Sequence, residues 1–352
     1  MTHDESSATL RVADLGEFAL IDRLAAVLRE EAVPARSAPA DELAIGDDAA
    51  AWRPTPDRWE ILTTDALVEN VHFRLSTTTW RELGWKALAE NVSDVAAMGG
   101  RPRRAFVTLG LPPETPIAGL EELYRGMAHL ACEFDLVIAG GDTVAAPVVF
   151  LSVTVVGEVE GPGLRRSAGQ PGDLLAVTGV LGGSAAGLEI LEAGGPGPGD
   201  DVGRSLAHCH RNPWPRVRQG LVLNEAGIRC GMDLSDGLLG DAAKLARASG
   251  VGATIALASV PMHPCLEERF GPRAAELALT GGEDYELLVA APADVIGRAE
   301  QALRRARLGP LSVVGRLEPG HAGQVRVVDA AGRPIQPSRA SWDHFGRSGT
   351  RR

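Results

Sequence analysis

Six aspartates stand in short segments of small and apolar residues. They are Asp48 in Ile45-Gly-Asp-Asp-Ala49, Asp65 in Thr63-Thr-Asp-Ala66, Asp94 in Asn91-Val-Ser-Asp-Val-Ala-Ala-Met98, Asp142 in Gly140-Gly-Asp-Thr143, and the pair Asp233 and Asp236 in Met232-Asp-Leu-Ser-Asp-Gly237. A bare carboxylate among such neighbours loses its hydration at a cost on the order of several kcal/mol. The six segments therefore predict one polar site in which cations hold the carboxylates. All-oxygen ligands select hard cations, Mg²⁺ ahead of zinc or copper. Mg²⁺ bound by carboxylates usually also holds a substrate's phosphates, so phosphate chemistry with several metal ions is expected.

Each segment also has a purely structural reading. Thr63-Thr64-Asp65 is expected at a strand end, where α/β sites often lie; Thr64 and Asp65 could instead cap the next turn. Asp94 is expected to be buried near the end of an apolar helix, against the alternative of an exposed residue facing Lys86 or Glu90 at helical spacing. Gly140-Gly141-Asp142 is expected as a tight turn after a strand, its glycine backbone close to a phosphate, yet the same tripeptide makes a plain turn. Asp233, Ser235 and Asp236 fall at a strand-to-helix junction, where free N–H groups bind anions or where one side chain is simply the N-cap. Arg166, in Arg165-Arg-Ser-Ala-Gly169, could hold two phosphate oxygens at once.

Other chemistries lack their signatures. The sequence has no Gly-x-x-x-x-Gly-Lys-Ser/Thr, which excludes a P-loop kinase. It has neither the His-Arg-Asp nor the Asp-Phe-Gly set of protein kinases, and no Gly-x-Ser-x-Gly. Net charge is −11, with two lysines, Lys86 and Lys244. That balance argues against nonspecific nucleic-acid binding, which needs a basic face. It is compatible with a phosphate substrate, because metals supply positive charge locally. The four cysteines lie far apart and form no Cys-x-x-Cys, as in a reduced cytoplasmic protein. No apolar run reaches the roughly 18–20 residues of a membrane span, and the polar N-terminus is no leader.

The 352 residues favour two domains, with 1–14 disordered, 15–160 and 161–346 as the two folded parts, and 347–352 a flexible tail. The fold class expected is α/β (α+β). In the first part, periodicity predicts helices over 17–31, 79–98 and 114–134, and strands over 43–45, 60–64, 104–111 and 136–139. Val148–Val156 is nearly continuous β-branched sequence and reads as a central strand. Residues 158–163 read as a linker. In the second part, strands are expected at 173–178, 230–234, 253–256, 285–290, 312–314 and 325–328. Helices are expected from Gly183 to Leu191, and over 213–227, 237–248 and 293–307. Glycines and prolines at 194–199 mark a surface loop.

In order, the chain reads Gly16-Glu-Phe-Ala-Leu-Ile21, Ile45-Gly-Asp-Asp48, Thr63-Thr-Asp65 with His72 beyond, Asn91-Val-Ser-Asp-Val-Ala-Ala-Met98, Gly140-Gly-Asp-Thr143, Arg165-Arg-Ser-Ala-Gly169, Asp233-Leu-Ser-Asp-Gly237, Gly281-Gly-Glu-Asp-Tyr-Glu-Leu287 and Trp342-Asp-His-Phe345. This set resembles the thiamine-monophosphate kinases and covers about residues 16 to 345. The resemblance implies transfer of the γ-phosphate of ATP to thiamine monophosphate, two α+β domains, and a mixed sheet in the first that pairs across a homodimer. It implies Mg²⁺ ligands at Asp48, Thr63, Thr64, Asp65, Asp94, Asp142, Asp233 and Asp236, with Asp94 shared by several ions. Tyr124, Gly141, Asp142, Arg166 and Ser235 would contact ATP, and Asp94, Asp142 and Arg166 would serve the transfer directly. His72, Glu283 and Trp342 would hold the acceptor, the indole facing a flat cation. Where the family carries Gly before that aromatic, this chain has Ser341. The alternatives are an enzyme of the same superfamily with another acceptor, and a nucleotide- and metal-binding scaffold without turnover.

Overall fold

The computed structural model describes residues 17–31, 58–161 and 163–336. Asp48, Trp342, the expected strand at 43–45 and both terminal segments lie outside the described residues. Two compact units divide the chain. One comprises the residues up to Val95 with Arg101–Glu158; the other comprises Ala96–Gly100 with the chain from Val159 onward.

In the first unit, helices α1 (Glu17–Glu31), α2 (Trp80–Ala97) and α3 (Ile117–Phe134) accompany strands β1 (Arg58–Val68), β2 (Arg101–Leu111), β3 (Val137–Ala145) and β4 (Phe150–Glu160). α2 ends where Gly99 takes a left-handed φ of 71°, as the Gly-Gly stop signal predicts. α3 starts later than the expected Glu114. Pro116 is its extended N-cap, and proline disfavours helical geometry in the residue before it. Leu83, Leu88 and Val92 of α2 and Leu120, Leu123 and Met127 of α3 are wholly buried. The two helices approach so closely that a Cβ on Gly126 would lie 1.9 Å from the carbonyl oxygen of Arg81.

The sheet order is β1-β4-β2-β3, with β2 parallel to β3 and antiparallel to β4. The mixed sheet and the interior place of the β-branched strand agree with the sequence reading. Val107, Leu109, Leu151, Val153 and Val155 fill the buried face. The other face carries half-exposed Phe106, Thr108, Ser152 and Thr154.

Two expectations are corrected here. Thr63-Thr64-Asp65 lies in the middle of β1, which continues to Val68, and not at a strand end. Gly140-Gly141-Asp142 is part of β3 and not a tight turn. Gly141 is needed for close approach within the sheet, since a Cβ there would sit 1.8 Å from the carbonyl oxygen of Val107.

The second unit holds a seven-stranded sheet, and its strands are β5 (Leu174–Thr178), β6 (Cys230–Asp233), β7 (Gly252–Ala256), β8 (Leu287–Ala291), β9 (Leu311–Glu318), β10 (Val325–Val328) and β11 (Pro334–Ile335). Their order is β11-β10-β7-β9-β5-β8-β6. Its helices are α4 (Gly183–Glu192), α5 (Asp201–Arg211), α6 (Val217–Glu225), α7 (Leu238–Ala248), α8 (Cys265–Phe270), α9 (Ala274–Thr280) and α10 (Ala293–Arg305). α6 begins four residues after the expected Pro213, because Pro213 and Pro215 hold the preceding chain out of helix. α5, α8 and α9 were not anticipated.

Candidate active site

In the first unit, β1 and the last turns of α2 bring three predicted side chains together. Side chains alternate along a strand, so Thr63 and Asp65 share one side and Thr64 faces the other. Thr63 Oγ1 donates to Asp94 Oδ2 at 2.5 Å. The Asp65 N–H donates to Asn91 Oδ1 at 3.0 Å, and Asn91, itself fully buried, is fixed by donating to the Ala87 carbonyl at 3.1 Å. Burial, reinforced by the neighbouring Asp94, pushes the Asp65 carboxyl up to about 6. Two carboxyls in hydrogen-bond contact share a proton or need a cation.

The donor set here is two carboxylates and a hydroxyl, all oxygen. Mg²⁺ is commonly held by one or two carboxylates, with waters and substrate phosphates completing the shell. These residues therefore fit Mg²⁺. Among the described residues no three His, Cys, Asp or Glu side chains gather as a metal cluster.

Thr64 is not part of this group. Its hydroxyl accepts from Thr154 Oγ1 at 3.0 Å and lies 3.4 Å from Ser152 Oγ, on the opposite side of the strand. Asp142 is exposed on the edge strand β3, in register with Thr108, and accepts from the Thr143 N–H at 2.8 Å. His72 lies in the turn after β1, where its Nδ1 accepts from the Val68 N–H at 3.0 Å. An accepting Nδ1 carries no proton, so the ring is neutral and offers Nε2–H as a donor. Tyr124 is buried in α3, and burial alone raises its hydroxyl pKa, keeping it neutral.

In the second unit, Asp233 is buried at the end of β6, and Ser235 and Asp236 follow before α7. Neither Asp233 nor Ser235 is the N-cap; that position is Gly237. Nor are the local N–H groups free for an anion. The Ser235 and Asp236 N–H groups both donate to fully buried Asp241, each at 3.0 Å. Lys244 Nζ bridges Asp241 at 2.9 Å and Asp236 by a short ion pair. Burial raises the Asp241 carboxyl, and Lys244 opposes the shift. Arg166 is exposed in a short 3₁₀ turn, and its guanidinium pairs with no carboxylate among the described residues. Its backbone carbonyl accepts from Ser249 Oγ at 2.8 Å, which fixes the turn.

The segment Gly281-Gly-Glu-Asp-Tyr-Glu286 is tied down by both backbone and side-chain bonds. Glu283 and Tyr285 hold left-handed φ angles of 65° and 51°, which cost energy in residues with a Cβ. That conformation delays β8 to Leu287, two residues beyond the predicted start. Backbone bonds hold the loop down, Glu283 N–H to the Ser235 carbonyl at 2.8 Å and Tyr285 N–H to the Leu234 carbonyl at 2.9 Å. Asp284 accepts from the N–H groups of Gly182 at 2.6 Å and Ser184 at 3.1 Å, at the start of α4. Burial still pushes its carboxyl up to about 7. Buried Glu286 accepts from Thr178 Oγ1 at 2.6 Å and from Arg216 through both Nε, at 2.8 Å, and Nη2. Sequence reasoning singled out Glu283 in this loop but missed Asp241, Lys244, Asp284, Glu286, His210 and Arg216. The loop motif contains two of these six; the others bear no local signal.

Family models for AIR synthase related proteins match both parts of the chain, the N-terminal domain over residues 46–159 and the C-terminal domain over residues 170–328. The chain thus falls in the class of two-domain AIR synthase related proteins. Thiamine-monophosphate kinase of Escherichia coli (strain K12) is 36% identical over 334 residues, 94% of this chain and 98% of that protein. The crystal structure of thiamine-monophosphate kinase from Stenotrophomonas maltophilia K279a is 38% identical, with a TM-score of 0.77 over 89% of this chain and 96% of that one. The structure described as AaThiL complexed with AMPPCP and TMP is 32% identical, with a TM-score of 0.73 over 96% of this chain and all of that one. Within its class, the chain belongs to the thiamine-monophosphate kinase family.

Proposed function

We propose that this chain transfers the γ-phosphoryl group of ATP in line to the phosphate of thiamine monophosphate, giving thiamine diphosphate and ADP. An oxygen of the acceptor phosphate bonds to the γ-phosphorus as the bond to the β,γ-bridging oxygen breaks, and ADP leaves with the electron pair. The acceptor oxygen is largely ionised at neutral pH, so no general base is required. What the reaction requires is positioning of two mutually repelling phosphates and neutralisation of their charge.

One observation carries this reading: Thr63, Asp65 and Asp94 form an all-oxygen group in which two carboxyls compete for one proton. Bound Mg²⁺ would supply charge neutralisation and in-line orientation of the phosphates. Thr63, Asp65 and Asp94 would hold it, with Asp48, Asp142, Asp233 and Asp236 as further ligands. The side chain of Thr64 is left out of this set, because it faces away. Arg166, exposed and without a carboxylate partner among the described residues, would clamp ATP phosphates bidentately, and Tyr124, Gly141 and Ser235 would line the nucleotide. His72, Glu283 and Trp342 would hold the thiamine monophosphate.

Two further expectations belong to this reading. The protein acts as a homodimer; β1 and β3, the two edge strands, expose Trp59, Leu62 and Val144, and apolar edges left open invite pairing. It acts in the cytoplasm; no helix among the described residues is long and apolar enough to cross a membrane.

The test is ADP release with Mg²⁺ and thiamine monophosphate, against thiamine and an aminoimidazole precursor as alternative acceptors. Release confined to thiamine monophosphate and abolished by chelation supports the reading. Equal release with another acceptor, or full turnover after chelation, refutes it.

A further inference from the structure

Helix α5 brings one side chain to the acceptor-binding carboxylate proposed above. His210, on the last turn of α5, is nine-tenths buried. Its Nδ1 lies 3.2 Å from Glu283 Oε2 and 3.1 Å from Ser184 Oγ, and Ser184 is itself buried. An ionised carboxylate only accepts hydrogen bonds. With its proton on Nδ1 the imidazole can donate to Glu283, and the Ser184 hydroxyl lies beside the same nitrogen. The imidazole thus meets Glu283 at one carboxylate oxygen, Oε2.

Such a contact restricts the Glu283 side chain. Its backbone is already held in the left-handed region by the Ser235 bond. The backbone alone does not choose a rotamer for a half-exposed glutamate, and each loose side chain costs rotamer entropy on binding. The neighbouring carboxylates are engaged elsewhere: Asp284 on the Gly182 and Ser184 N–H groups, Glu286 on Arg216 and Thr178.

We infer that His210 is a positioning residue that sets the Glu283 carboxylate for the cationic or amino group of the acceptor. The inference rests on the acceptor-site reading of Glu283, and the experiment separates the two. Binding of thiamine monophosphate to the full-length protein is measured by titration calorimetry without ATP, beside KM for acceptor and for ATP. The variants are Glu283→Gln, His210→Ala, His210→Asn, His210→Gln and the double variant Glu283→Gln/His210→Ala.

His210→Ala should weaken acceptor binding about tenfold, the scale of one hydrogen bond to a charged group, and leave the KM for ATP unchanged. His210→Asn, whose amide nitrogen falls near the place of Nδ1, should restore affinity to within about threefold. His210→Gln, polar but misplaced, should not. In the Glu283→Gln background, His210→Ala should add little. If Glu283→Gln leaves acceptor affinity intact, the acceptor-site reading fails and the inference with it. If Glu283→Gln weakens binding but His210→Asn and His210→Ala behave alike, or the two effects simply add, the inference alone is overturned. Should His210→Ala not fold, the contrast between Asn and Gln decides.

Discussion

Asp94 is the residue on which the proposed site turns. It accepts from Thr63 and stands against Asp65, so its charge is felt by both neighbours. Asp94→Asn keeps its size and removes that charge. Thiamine diphosphate formation at saturating Mg²⁺ should fall by more than about a hundredfold with the melting temperature unchanged; activity within about tenfold of the parent would sink the role. Asp284 makes a different prediction. Its carboxyl titrates at about 7 in the fold, well above the ordinary aspartate range. A raised carboxyl pKa means that the folded state binds the proton more tightly than the unfolded state. Its stability contribution is therefore complete below the ordinary range and is lost as pH rises through about 7. In chelator, the stability of the parent should decline between roughly pH 4 and 7 relative to Asp284→Asn. Denaturant midpoints across that window check this, and a constant difference would refute it.

The elements show which parts of the chain were legible and why. α2 could be read because its apolar spacing runs unbroken to Gly99, and β4 because β-branched sequence identifies an interior strand. β3 was cut short at Ala139 because Gly-Gly-Asp is a common turn tripeptide, and nothing local reveals that the Val107 carbonyl crowds Gly141. α5 was invisible for a related reason. Its buried stripe, Gly203, Leu206, Ala207 and His210, keeps helical spacing but holds a single large apolar residue, and it follows directly on the Gly/Pro run at 194–199 that reads as loop. The residue that meets Glu283 therefore sits on a helix that the sequence hides. At the site, six aspartates were singled out by residue type, whereas the pleat that turns Thr64 away from Thr63 and Asp65 shows only once β1 is known to run on to Val68. At this scale the α2–α3 crossing also makes a prediction. Gly126→Ala would push a methyl into the Arg81 carbonyl, and the helices must part. Overpacking of this kind costs about 1–3 kcal/mol, to be read as a shifted denaturant midpoint with unchanged m-value; an unshifted midpoint would show that the crossing yields freely.

For the molecule as a whole, the quaternary state is the open prediction. A strand as rich in β-branched residues as Val148–Val156 would call for a partner if it stood at an open edge. The structure removes that motive by placing β4 between β1 and β2. The motive passes to β1, whose Leu62 and Trp59 are more than half exposed, at 69% and 65%. Leu62→Glu should turn a dimer into a monomer in sedimentation velocity at micromolar concentration, and a parent that already sediments as a monomer would refute the proposal. Charge offers another whole-molecule property. The chain has only two lysines, Lys86 and Lys244, of which Lys86 is buried. Lys244 is half-exposed; burial works against its charge, yet Asp236 and Asp241 outweigh that and hold the ammonium above the usual lysine range. Amine-directed acylation attacks only the deprotonated form. The native protein should therefore take up such a label slowly at Lys244, and that modification becomes a clock for the moments when Asp236 lets go. A single mass-spectrometric peptide, followed over time with and without Mg²⁺, would report the state of that corner of the molecule with no engineered probe.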